Sequence, residues 1–156
     1  MSRSTDAGAA VAALAAVLLA GCSGEEDRLT KSQYEQKVRS VYSGVQAAFE
    51  STRDADGSQL ARRIEQAQQE LLSAAGELES IEPPAAVEEE TEELVEGMRE
   101  YAESLDGVRA AAERNDSVAI GQFNLGLDDN EAVEQMAEAA EEMKFKGYDL
   151  GRIAEE

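Results

Sequence analysis

Thirty-four carboxylates, a single thiol and no imidazole are what this 156-residue chain offers for acid–base, nucleophilic or metal chemistry. Without histidine it has no imidazole base, no Ser-His-Asp triad and no ordinary zinc site. The Glu-x-x-His pairs of carboxylate di-iron bundles are missing for the same reason. Two carboxylates alone can run acid–base chemistry, but no such pair falls inside the apolar stripes of the chain. No enzyme and no cofactor are therefore expected. The lone thiol, Cys22, cannot close an internal disulfide, and in an exported chain it needs a modification or a partner.

One oxygen-rich segment has the spacing of a cation site. Asp54-Ala55-Asp56-Gly57-Ser58, followed by Glu65, resembles part of a calcium-binding EF-hand loop, with oxygens at the first, third and fifth positions and a glutamate at the twelfth. Gln59 stands where that loop needs glycine for its sharp turn, and Ala61 replaces an aliphatic residue. Leu60 and Ile64 also belong to a helical stripe. The bland reading, a helix–helix turn capped by Ser58, is preferred, and Asp54, Asp56, Ser58 and Glu65 stay minor metal candidates.

The densest charge run is Glu88-Glu89-Glu90-Thr91-Glu92-Glu93. Its ordinary reading is a solvated first turn, where the helix dipole favours acids. Its functional reading makes Glu88, Glu89, Glu90, Glu92 and Glu93 a contact for a basic partner. Asp128-Asp129-Asn130-Glu131 has no complete ligand spacing and reads as a helix interruption.

The amino terminus gives the most specific signal. Residues 1–8 are short and polar, and Ala9 to Ala20 is a twelve-residue apolar run. Spanning a bilayer takes roughly 20 such residues, so the run matches the core of an export signal instead. Leu19-Ala20-Gly21-Cys22 then closely resembles the lipobox of bacterial lipoproteins. That resemblance implies diacylglycerol on the Cys22 thiol and cleavage just before it. Asp6 offsets Arg3, which leaves the leading segment weakly basic. The expected organisation is a signal peptide over 1–21, a lipidated flexible tether over 22–29 and a helical domain over 30–156. The tether reaches on the order of 15 Å.

Fourteen basic residues against thirty-four acids leave a net charge of −20, which excludes nucleic acid as a partner. The same charge opposes a body lying flat on anionic lipid. A hydrophobic fraction of 42% still suffices for a packed core.

These groups must be positioned by helices, because apolar residues recur at steps of three and four and never alternate. Thr30 with Gln33 forms a capping-box start. Tyr34, Val38, Val41, Val45, Ala48 and Thr52, with Phe49 beside them, mark a first helix of about 23 residues. Gly57 and Ser58 supply a stop and a new cap. Leu60, Ile64, Ala67, Leu71, Ala74, Leu78 and Ile81 mark a second helix, ended by Pro83-Pro84. Val87, Thr91, Leu94, Met98, Tyr101, Leu105, Val108 and Ala112 mark a third, and Asn115-Asp116 a turn and cap. The fourth segment divides into Ile120, Phe123 and Leu127, then Val133, Met136, Ala140 and Met143, with a break near 126–130. Met98, Met136 and Met143 are core positions rather than a peptide groove. The expected fold is all-α, an antiparallel up-down-up-down four-helix bundle. A monomer is favoured over two hairpins that dimerise.

Lys144 and Lys146 place positive charge at the last helix end, and Gly147 suits the residue beyond it. The tail Lys146-Gly147-Tyr148-Asp149-Leu150-Gly151 resembles the ends of uncharacterised actinobacterial exported helical proteins. Tyr148 and Leu150 are expected to fold back over one end of the bundle. The functional expectation is a membrane-anchored extracytoplasmic lipoprotein, held through lipid on Cys22. It would serve as a non-enzymatic interaction or envelope-support module with an envelope protein as partner. The alternative is a ligand-binding lipoprotein that captures divalent cations or a small cationic molecule.

Overall fold

The computed structural model describes residues 28–125 and 130–151, except the side chains at 124 and 125. The signal, Cys22, Leu127 and Asp128-Asp129 lie outside the described residues. The described part is all-α, with helices α1 Lys31–Glu50, α2 Gly57–Glu79, α3 Glu88–Glu113, α4 Ser117–Leu125 and α5 Glu131–Phe145. A short 3-10 turn, Ala85–Val87, precedes α3. Among the described residues, no helix is long and apolar enough to cross a membrane.

α1 starts with the expected capping box. Thr30 accepts from the Gln33 N–H, and the Gln33 side chain accepts from the Thr30 N–H at 2.9 Å. The helix stops at Glu50, short of Thr52, because the hydroxyls of Ser51 and Thr52 turn back onto the carbonyls of Ala48 and Phe49 at 2.6 and 2.7 Å. Such side-chain bonds offer the backbone an alternative to another helical turn.

The start of α2 differs from the expected Ser58 cap. Asp56 is the N-cap, its carbonyl accepting from Gln59 and Leu60 at 2.9 and 3.0 Å. Gly57 takes φ 46°, a left-handed conformation that glycine adopts without a Cβ penalty, so the helix begins two residues early.

At the other end of α3, Asn115 takes φ 54° and Asp116 receives the Ala119 N–H at 3.0 Å, as the expected turn and cap require. The fourth segment is two helices. α4 ends at Leu125, and α5 restarts under an Asn130 side chain that accepts from Ala132 and Val133. α5 closes in a Schellman motif: Gly147, at φ 87°, donates to Lys144 O and Tyr148 donates to Met143 O.

One apolar cluster draws on α1, α2, α3, α5 and the tail, including Tyr34, Val38, Ile64, Leu71, Leu78, Leu94, Met98, Leu105, Met143, Tyr148 and Leu150. α3 packs against both α2 and α5, α1 packs along α2, and α4 rests on α3. α3 and α5 approach closely at a glycine. A Cβ placed on Gly97 would lie 2.6 Å from Met136 Cγ and 3.0 Å from the Ala132 carbonyl. Side-chain bridges align the remaining faces. Lys37 meets Glu77 at 2.5 Å and Arg99 meets Glu79 at 2.6 Å, while Gln68 donates to the Ala102 carbonyl at 2.8 Å. Exposed pairs of this kind contribute about 0–1 kcal/mol each, so they set register more than stability.

Candidate functional site

The acidic run at the start of α3 divides between solvent and core. Glu88, Glu89 and Glu92 are exposed and Glu93 is half-buried, but Glu90 is only 2% exposed and Thr91 4%. Glu90 lies three residues after Val87 and four before Leu94, which is stripe spacing, so the helix turns it inward with them. This corrects the reading of Glu90 as part of a solvated contact face.

Burying a carboxylate needs a partner, because the charged form loses its hydration. Lys146, just past the end of α5, supplies it by donating to Glu90 Oε1. The other oxygen, Oε2, is buried with no hydrogen-bond partner among the described residues. Burial works to raise the Glu90 carboxyl. The Lys146 hydrogen bond, a backbone hydrogen bond and the Lys146 charge outweigh it, so the net shift is downward. The Lys146 ammonium is correspondingly raised, chiefly by its bond to Glu90.

Around this pair the acids of α3 face those of α5. Glu93 is pushed up from the usual carboxylate range, first by burial and then by the charges of Glu142, Glu89, Glu90 and Glu138. A 720 Å³ concavity lies beside them, lined by Glu138, Glu141, Glu142, Lys144, Phe145 and Lys146. Among the described residues, no group of three or more acidic or thiol side chains is arranged to hold a metal ion.

The EF-hand-like residues are not brought together. Asp54 lies in the turn after α1 and Asp56 caps α2, while Ser58 and Glu65 sit on α2 itself. Seven residues of helix separate those two by about 10 Å along the axis. A regular helix therefore holds Glu65 away from Ser58.

Beneath the acidic face lies a buried polar contact that sequence reading missed. The Tyr34 hydroxyl lies 2.7 Å from Thr91 Oγ1 and 3.4 Å from Met143 Sδ, joining α1, α3 and α5. Tyr148 meets the Tyr34 ring edge-on, with centroids 5.8 Å apart. The tail then climbs α1. Lys31 donates to the Gly147 carbonyl at 2.6 Å, Glu35 accepts from the Asp149 N–H at 2.9 Å, and Arg39 donates to the Asp149 carbonyl at 2.8 Å. Tyr148 and Leu150 are buried, as expected of a tail that folds back.

No family model, curated protein or solved structure matches this chain.

Proposed function

We propose that the chain is the precursor of a lipid-anchored protein at the extracytoplasmic face of the cell membrane, acting there as a non-enzymatic interaction module. The observation that carries this reading is the apolar run Ala9–Ala20 ending in Leu19-Ala20-Gly21-Cys22. Two acyl chains on Cys22 give stable anchoring where one gives only marginal binding.

The body on that anchor is, in this reading, an up-down-up-down four-helix bundle with α4 and α5 together as its fourth member. Support comes from the short connections between helices and from the cross-helix partners. Lys37 pairs with Glu77, Arg99 with Glu79, and Asn130 reaches Ser104. Lys37 lies early in α1 and Glu77 late in α2, as antiparallel neighbours require, and the same order recurs between Glu90 early in α3 and Lys146 just past α5.

The partner is an envelope protein with a basic contact surface. Its docking face is Glu88, Glu89, Glu92 and Glu93 of α3, with the neighbouring glutamates of α5. Glu90 acts from below, holding the α3 and α5 ends together through Lys146.

Mass spectrometry of the mature protein tests the anchor: a diacylglyceryl mass on an amino-terminal Cys22 is expected, and an unmodified thiol overturns it. In-cell cross-linking tests the partner. One reproducible partner, lost in Cys22→Ser and in a Glu88, Glu89, Glu92 and Glu93 charge-reversal variant, is expected. Recovery of bulk membrane protein alone overturns the interaction reading.

A further inference from the structure

Phe145 is the last residue of α5 and is 94% exposed, although Met143 in the same turn is fully buried. Lys144 and Lys146 flank it in sequence. A large apolar ring held out in water at a helix end suits the boundary between acyl chains and headgroups.

Its position relative to the rest of the chain decides what covers it. Described residues begin at Arg28, which donates to the Pro83 carbonyl at 2.9 Å, and the Leu29 N–H donates to the Glu82 carbonyl at 2.8 Å. Lys31 reaches Gly147, two residues past Phe145, at 2.6 Å. The chain therefore enters the body at the end where α5 leaves it. Five residues lie between Cys22 and Arg28, and the chain from one to the other reaches at most about 22 Å. A lipid on Cys22 keeps the bilayer within reach of this end.

We propose that Phe145 inserts into the interfacial layer of the membrane that holds the Cys22 lipid, so that the α5 end of the body faces the bilayer. The proposal rests on the lipoprotein reading and deepens it by naming the lipid surface as a second contact. One phenylalanine is too weak to bind a membrane from solution, but the anchor makes its insertion an intramolecular step at high effective concentration. The chain's net charge of −20 opposes attraction to anionic lipid as the cause. The contact is apolar and insensitive to salt.

Full-length protein carrying Phe145→Cys or Val118→Cys, purified from membranes and reconstituted in phosphatidylcholine vesicles, tests this through a nitroxide on the introduced thiol. Val118, 69% exposed at the start of α4, is the far-end control. The label at 145 is expected to meet a water-soluble nickel chelate several-fold less often than the label at 118, and dissolved oxygen more often. That contrast should survive about 0.5 M salt, where exposed charges are screened within a few ångströms. Equal nickel access at the two positions overturns the proposal while leaving the anchor intact. So does a label at 145 shielded from both reagents and spin-broadened, which reports a second copy. Thiols counted before labelling test the anchor separately. One per chain is expected, and two would overturn the lipoprotein reading together with the proposal.

Discussion

The hydroxyl of Tyr34 lies 2.7 Å from that of Thr91, across 57 residues of sequence. Thr91 donates its single proton to the Val87 carbonyl at 2.5 Å, which makes Tyr34 the donor in the pair. The three residues link the first turns of α1 and α3 through a fully buried phenol.

Alkaline stability follows from that burial. Burial pushes the Tyr34 phenol up to about 12, partly offset by its bond to Thr91. A phenol raised in the folded state resists ionisation while the unfolded chain ionises from 10.0 upward. Stability should therefore be unaffected below pH 10 and fall through the window from 10 to about 12, by up to about 1.4 kcal/mol per pH unit from this group. Urea unfolding across that range checks it. In Tyr34→Phe the slope should be shallower and the neutral-pH stability lower.

The Glu90–Lys146 pair predicts acid behaviour of the opposite sign. A carboxyl lowered on folding contributes stability that is fully present above 4.5, its ordinary value, and lost as pH falls through the lowered folded value. Lys146→Met should lower Tm at pH 7, because it strands a buried charge. Adding Glu90→Gln to that variant should restore part of the loss. Equal, additive effects would show that the two side chains are uncoupled.

Glu93 reverses the sign again. Its carboxyl is raised by burial and by surrounding acids, so its ionisation opposes folding at neutral pH. That penalty disappears as pH falls through the raised folded value. Glu93→Gln should raise Tm at pH 7 and leave it unchanged near pH 4, as calorimetry at the two pH values would show.

Glycines in α3 separate packing from propensity. Gly107 has nothing within 4 Å of an added Cβ, so Gly107→Ala should stabilise the protein by about 0.5–1 kcal/mol. At Gly97 the same change meets Met136 at 2.6 Å and the Ala132 carbonyl at 3.0 Å. There overpacking should outweigh propensity, and Gly97→Ala should destabilise by about 1–3 kcal/mol.

Leu71 and Leu105, each 2% exposed, test the shared core from α2 and α3. Truncating either to Ala should cost about 2–5 kcal/mol in chemical denaturation. A near-neutral result at either position would contradict the packing of that helix.

Helical period alone made most of the core legible, since Tyr34, Val38, Ile64, Leu71, Leu94, Met98 and Met143 repeat at steps that face one side of a helix. Glu90 was hidden by its charge. Its spacing from Val87 and Leu94 matched the stripe, but the cation that permits its burial comes from Lys146, 56 residues away. No local pattern encodes such a partner. Ser58 reads as the cap of α2, but the N-cap is Asp56 because Gly57 takes a positive φ, which sequence only permits. The break between α4 and α5 was visible in Gly126 and Asp128-Asp129-Asn130, whereas the outward turn of Phe145 was not. Stripe logic assigns apolar residues inward and says nothing of a ring at a helix end.

The hold of the tail on α1 also sets an order of events in time. Lys31 finds Gly147 across 116 positions, and Arg39 finds Asp149 across 110. A chain that emerges amino terminus first therefore shows its first helix long before the residues that finish enclosing it. At synthesis rates of about 5–20 residues per second, that interval is on the order of 5–20 s. During it the ring of Tyr34 lacks Tyr148, although Thr91 of α3 is already made. Residues 147–149 thus close onto the first helix late, and a chain cut at Phe145 would leave Lys31, Glu35 and Arg39 without their bonds to the tail.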